Sequence, residues 1–445
     1  MMEASRSPKV DRLGLILMTS AAFILGMLPR STMMRSYRTM RCVSLPVPGE
    51  DTMAEDSMNR ARIESIDLVR GIIIVIMALD HSHDFFGSLT AQPTNTATTT
   101  AALFFTRWIT HFCAPVFFLL TGTSASLTRK RISKPALSRF LVTRGVWLIL
   151  LEIVVLRFAL QFNFDYHVTI LTVLWALGWV MIALAALIWL PIWAIAAFGI
   201  VLIAGHNALD GIDASRFGAW APLWIILHQP GLLLNTGHSA VFVAYALVPW
   251  IGVTAMGYVL GETWRWNAGP RRAVLFWTGI ALVIGFVALR HTNLYGDPLH
   301  WVVRKTPLFT GMSFINTVKY PPSLLFLMMT LGPALLLLRA FDGGVPWCLR
   351  PAHTIGRVPL FFFVLHFYLI HLLAVAACWW RYGTVANMFQ SPDIAHFPFT
   401  APPGWDFGLP VVYAVWVFVI VSLCPLCRWY AGVRRRHDWW WLSYL

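Results

Sequence analysis

Four ionisable residues stand within five positions, Asp80, His81, His83 and Asp84, and they close a run at 68–79 that is apolar except for Arg70. Imidazole titrates near neutrality, so His81 can take a proton from an attacking hydroxyl or amine, a role typically contributing about 10²–10⁴-fold in rate. A carboxylate on its other ring nitrogen would fix the tautomer. Asp80 and Asp84 can each supply that carboxylate, and the sequence does not choose between them. Ionisable groups at membrane depth cost roughly 2.5–3.5 kcal/mol each on insertion scales and persist where they pair or work. Arg70 and His81 are eleven positions apart. On a helix that is about 16 Å of rise and within about 20° of three full turns, so both side chains lie on one face. Asp67 and Asp84 share the stripe. The expectation is a guanidinium near one membrane surface and an imidazole half a bilayer deeper, both facing a common cavity.

Further candidates occur later in the chain. His111, in TRWITHFCAPVFFLLTG, opens a second apolar segment at the same level as His81. Arg107, one turn before it, could hold an acceptor or a developing charge. His366 and His371, in LFFFVLHFYLIHLL, are five residues apart and do not stack on one helical face. His366 is the better candidate for an acceptor contact, and His371 reads as structural. Glu152 and Arg157 read as an intramembrane pair without a chemical role. His81, His83, His111 and His366 could in principle hold a metal, but the tight repeated spacings of membrane di-iron sites are missing, and no metal is expected. Cys424 and Cys427 form a CxxC with no second pair or nearby His set, so packing is the reading there. A phosphate-cradling glycine loop, a GxSxG elbow and an HExxH are all absent.

The elements that must position these groups follow from composition. Of 445 residues 58% are apolar and 12% charged, half the charged share of about 25% found in soluble domains, which indicates an all-α polytopic membrane bundle. The formal charge of +14 falls in short runs between apolar segments rather than on an aromatic-interleaved face, which argues against nucleic acid as a partner. Ten core spans are expected near 67–86, 108–127, 140–160, 168–189, 191–206, 240–261, 273–290, 322–340, 357–380 and 409–427. Stretches around 220–234 and 308–318 read as interfacial or re-entrant pieces. Basic runs after the second, sixth, eighth and tenth spans put those loops, and both ends of the core, on the cytoplasmic side of a cell membrane. Residues 290–321, which include Arg304 and Lys305, are unusually basic for an outer loop and read as a vestibule for an anionic or hydroxyl-rich acceptor. Residues 1–60 read as an extension with a possible anchor at 13–28, or as sequence upstream of a true start at Met53 or Met58. The transmembrane core is then 61–445.

An Arg and a His separated by ten residues in the first core helix resemble the motif of acyltransferase-3 membrane proteins. The wider pattern is closer to the heparan-alpha-glucosaminide N-acetyltransferase-like group. ESIDLVRG, MALDHSHDFF, THFCAPVFFLLTGTSA, WALGWVMIALAALIWLP, VKYPPSLLFLMMTLGP and GRVPLFFFVLHFYLIH carry it, in order, together with the C-terminal CRWYAGVRRRHDWWWLSYL. The resemblance implies a membrane enzyme that passes an acetyl or other acyl group from cytoplasmic acyl-CoA to a sugar, amino sugar or similar small acceptor on the far side. It implies Arg70 at the CoA end and His81 as base or transient acyl carrier. In the heparan enzyme the histidine assigned to catalysis lies in the loop between the first two core spans. Here Gly87 to Arg107 contains no His, so His81 or His111 takes that task or the chemistry differs. The rival from another class is a proton-coupled transporter with Asp80, His81, His111 and His366 as a relay. No visible inverted repeat supports it.

Overall fold

The computed structural model describes residues 50–88, 92–392, 394, 398–437, 439 and 442. The expected anchor at 13–28 lies outside the described residues. Helix accounts for 72% of the described residues, so the all-α expectation holds in bulk, but a three-stranded sheet interrupts it.

The first helix, α1 (Glu50–Phe86), carries the charged cluster. Between 64 and 87 none of its positions is exposed. From 64 to 86 the helix is therefore packed along its charged stripe as well as its apolar faces. Its last turn leaves carbonyls without helical partners, and those of Phe85 and Phe86 receive Trp405 Nε1 and the Phe407 amide, each at 3.0 Å.

Thr100 caps α2 (Ala101–Ile109) by accepting from the Leu103 amide. A 3₁₀ turn, Thr110–Phe112, joins it to α3 (Cys113–Arg129). Ser133 caps α4 (Lys134–Leu150), which passes through a π-helical turn, Leu151–Leu156, into α5 (Arg157–Gln161). Then come β1 (Val168–Leu171), α6 (Val173–Leu187), α7 (Ile192–Gly205), α8 (Ala221–Leu227), β2 (Gly231–Asn235) and β3 (Ala240–Val243). The chain continues through α9 (Leu247–Glu262), α10 (Ala268–Thr292), α11 (Pro307–Ile315), α12 (Leu324–Ala340), α13 (Arg350–Gly356), α14 (Pro359–Tyr382) and α15 (Gly408–Arg436).

Each expected span contains a helix. Among the described residues, five helices are long and apolar enough to cross a membrane: Ala101–Arg129, Ile192–Leu209, α10, α14 and α15. The apolar α6 and α12 are shorter. Helix α1 is not in that set; it carries Arg70, Asp80 and Asp84 within its apolar length. The sheet corrects the sequence reading at two places. Residues 168–171 and 240–243, expected as the starts of spans, pair as parallel strands β1 and β3, with β2 antiparallel on the other side of β3. Short apolar runs rich in β-branched residues carry no period that separates strand from helix, and Val168, Thr169, Ile170, Val241 and Val243 form such runs. The pieces expected as interfacial are α8 followed by β2, and α11.

Glu152 and Arg157 do not pair. The Glu152 carboxylate accepts from the amides of Thr172 at 2.9 Å and Leu174 at 3.2 Å, where the N-terminus of α6 favours an anion. Arg157 turns to the Asn163 side chain at 2.6 Å and Asp165 at 2.9 Å. Both residues find nearer partners in the following turns than each other.

Helix α1 touches α13 backbone to backbone. A Cβ on Gly71 would stand 1.8 Å from the Ala352 carbonyl oxygen, and one on Gly356 would stand 1.8 Å from that of Asp67. Any side chain there forces the helices apart. Gly356→Ala should therefore cost about 1–3 kcal/mol, read as a lower melting temperature in detergent, while Gly432→Ala, where nothing lies within 4 Å, should leave it unchanged.

Candidate active site

The close approach of α1 and α13 places Arg70. Its guanidinium donates to Asp67 Oδ1 and to Ser124 Oγ, each at 2.8 Å, and reaches the Gly356 carbonyl at 3.4 Å. It opens onto a cavity of about 650 Å³ whose lining includes five further arginines, Arg131, Arg144, Arg357, Arg434 and Arg435, against one carboxylate, Asp67. The inner wall is apolar, with Met77, Phe117, Leu141, Leu177 and Phe363. Such a site has a polyanion-binding mouth and a greasy depth.

His81 is not a lining residue of that cavity. The expected common cavity is corrected here: it stops at Met77, one turn before His81, and at Phe363. The rings of α14 fill the space between, with Phe367 at 4.3 Å from the His81 ring, His366 at 5.2 Å, and Phe363 at 5.5 Å from His366.

Of the two carboxylates beside His81 in sequence, Asp84 is the one in contact with its ring. Asp84 Oδ2 stands 3.2 Å from His81 Nδ1. A carboxylate accepts, so Nδ1 carries the proton and Nε2 keeps its lone pair, the form a base needs. Asp80 faces elsewhere. It is bound by Arg107, accepts from Thr110 Oγ1 at 3.0 Å, and has Lys319 at 3.9 Å. Arg107 is thus committed to Asp80.

His366 is fully buried; its Nδ1 stands 3.3 Å from the Phe362 carbonyl and its Nε2 has no partner. His111 is buried against Phe326, ring centres 5.5 Å apart, and its Nδ1 is also without a partner. His371 is structural: it bonds the carbonyls of Ala159 and Met388 and stacks on Phe162 at 3.9 Å.

Arg304 and Lys305 are exposed, and the bonds of Arg304 to Thr310 stay within the loop. Arg290, counted with the vestibule, is instead the loop's internal strut. It donates to the carbonyls of Leu299 (2.6 Å), Phe314 (2.8 Å), Asn316 (2.6 Å) and Ser313 (3.2 Å). Two site residues were not singled out from sequence. Lys319 was one loop cation among several, and Ser124 is a small hydroxyl in an apolar helix; neither has a spacing that marks it. Among the described residues no group of three or more His, Cys, Asp or Glu stands together as a metal site.

A family model described as heparan-alpha-glucosaminide N-acetyltransferase, catalytic, matches residues 62–303, over half of the chain and including Arg70, Asp80, His81, Asp84, Arg107 and His111. The chain belongs to this family. Membership makes it a membrane acetyltransferase and gives no support to the transporter alternative. No curated protein matches the sequence. The family match ends before α11 to α15, yet α13 to α15 supply Arg357, Phe363 and Arg434 to the cavity.

Removing one member of a buried ion pair strands the other. Asp80→Asn should cost about 3–5 kcal/mol, seen in thermal melts, and the triple change Asp80→Leu, Arg107→Leu and Lys319→Met, which removes both cations facing the carboxylate, should recover most of that loss.

Proposed function

We propose that the protein moves an acetyl group from acetyl-CoA on the cytoplasmic side to a hydroxyl or amine of a sugar-like acceptor on the other side of a cell membrane. The observation that carries this reading is the arginine-lined cavity ending one helical turn short of the Asp84-oriented His81. CoA brings several phosphate charges, which planar guanidinium groups match in pairs. Arg70, Arg357, Arg434 and Arg435 would hold those phosphates, and the apolar wall would take the thioester end. Arg131, Arg434 and Arg435 belong to the basic runs that set the cytoplasmic side, and ten crossings of the core, residues 61–445, then leave both of its ends inside.

In the reaction, His81 Nε2 takes the proton of the attacking hydroxyl or amine as that atom adds to the thioester carbonyl. The carbon–sulfur bond then breaks, and the same proton passes to the departing thiolate. Asp84 holds the ring and stabilises the imidazolium. An acyl-histidine route would place the acetyl group on Nε2 first. The free Nε2 of His366 and Nδ1 of His111 offer acceptor contacts on the far side, with Arg107 behind them. Arg304 and Lys305 form the outer rim the acceptor meets first. For the thioester to reach His81, Met77 must swing aside, and its unbranched chain is suited to that.

Two outcomes test this. His81→Ala should lower transfer of label from acetyl-CoA to an envelope sugar by about 10²–10⁴-fold with membrane expression intact; unimpaired transfer would sink the assignment. Met77→Trp should block transfer while calorimetry shows CoA binding unchanged, since the bulk stands beyond the arginines. Loss of CoA binding in that variant would show that the donor does not bind as described.

A further inference from the structure

A second pair of buried imidazoles lies where α7 ends. His206 and His228 are 2% and 3% exposed. His206 Nδ1 stands 3.1 and 3.0 Å from the carbonyls of Leu202 and Ile203. Carbonyls accept, so this nitrogen carries the proton and Nε2 keeps its lone pair. His228, just after α8, sets Nε2 3.4 Å from Asp210 Oδ1, which leaves the lone pair on Nδ1. Neither His206 Nε2 nor His228 Nδ1 has a hydrogen-bond partner. Two acceptor nitrogens are thus buried without donors, a state that is costly unless something fills it.

The spacing offers an occupant. The two ring centres are 6.1 Å apart. Rings sharing one ion through nitrogen bonds of about 2.0–2.1 Å have centres about 5–6.5 Å apart. The outer partners are also in place, since a metal-bound histidine ordinarily gives its other N–H to a carbonyl or carboxylate. Asn207 Nδ2 holds the second Asp210 oxygen at 2.8 Å, and Asn207 Oδ1 accepts from the Leu324 amide at 2.8 Å, tying the cluster to α12. Trp224, 5.0 Å from His228 and stacked on Phe217, walls the site.

We propose that His206 Nε2 and His228 Nδ1 bind a zinc-class divalent transition-metal ion, with Asp210 as the carboxylate behind His228. Two imidazoles are the protein's share, and water completes the coordination. Imidazole nitrogen suits this class of ion, and calcium or magnesium would demand oxygen ligands. The bound ion clamps the end of α7 to the segment after α8. The site shares no residue with the acetyl-transfer centre, so neither reading depends on the other.

The test uses the full chain in detergent, freed of its purification tag, stripped with chelator and titrated with Zn²⁺. Expected are one retained equivalent by elemental analysis and a raised melting temperature. Both should vanish in His206→Gln and in His228→Gln, and Asp210→Asn should weaken binding about 10–100-fold. Independently of any variant, Co²⁺ added to the unaltered chain should gain the visible absorption of a nitrogen-coordinated ion, which Zn²⁺ abolishes. An unchanged aqueous cobalt spectrum, no retained zinc, or full retention in both glutamine variants would overturn the proposal.

Discussion

Charge inside an apolar bundle has to be answered locally, and α1 is where this protein meets that constraint. Arg70 is answered by Asp67 and Ser124, Asp80 by Arg107, Thr110 and Lys319, and His81 by Asp84. Leaving the buried Asp80 alone in low dielectric would cost several kcal/mol. The partners come from α1 itself, α2, the 3₁₀ turn after it, α3 and the loop before α12, so the charges on one helix dictate which others gather round it. The glycine contact of α1 with α13 belongs to the same arrangement. By letting backbones touch, it brings the Gly356 carbonyl within reach of Arg70 and Arg357, which follows α13, to the cavity.

The loop at 293–323 obeys the same rule by different means. Arg290 is buried among four backbone carbonyls, and Asp297 accepts from the amides of Leu299 and Val318 and from the Ser323 hydroxyl. Irregular backbone near a membrane needs its polar groups satisfied internally, and these two residues do much of that between 293 and 323. The loop so fixed delivers Lys319 to Asp80. The arrangement of the loop is therefore coupled to the turn of α1 that holds His81.

Helix positions were legible in the sequence because long apolar runs between basic loops allow little else. The alignment of Arg70 with His81 followed from period alone. What the sequence could not supply was choice among partners. Asp80 and Asp84 were equivalent from spacing, and Lys319, 239 positions away in the chain from Asp80, decided the matter by joining Arg107 on Asp80. The strands at 168–171 and 240–243 were hidden because four-residue apolar runs have no readable period. The basic count over 290–321 was correctly read, but count does not distinguish a cation facing solvent from one bracing a loop, and Arg290 is the latter.

The barrier between Arg70 and His81 bears on how a group can cross without the membrane leaking. The cavity is closed at Met77 and Phe363, and behind them the rings of His366 and Phe367 pack on His81. A water-filled channel through this point would let protons and ions follow any substrate. A plug of one flexible thioether and three rings excludes water and strengthens every electrostatic interaction beyond it. It also needs to yield over no more than one helical turn, about 5.4 Å, for a thioester to reach the imidazole. The proposed transfer asks for that combination, since on that reading an acyl group would pass while the bulk of its carrier stayed among the arginines.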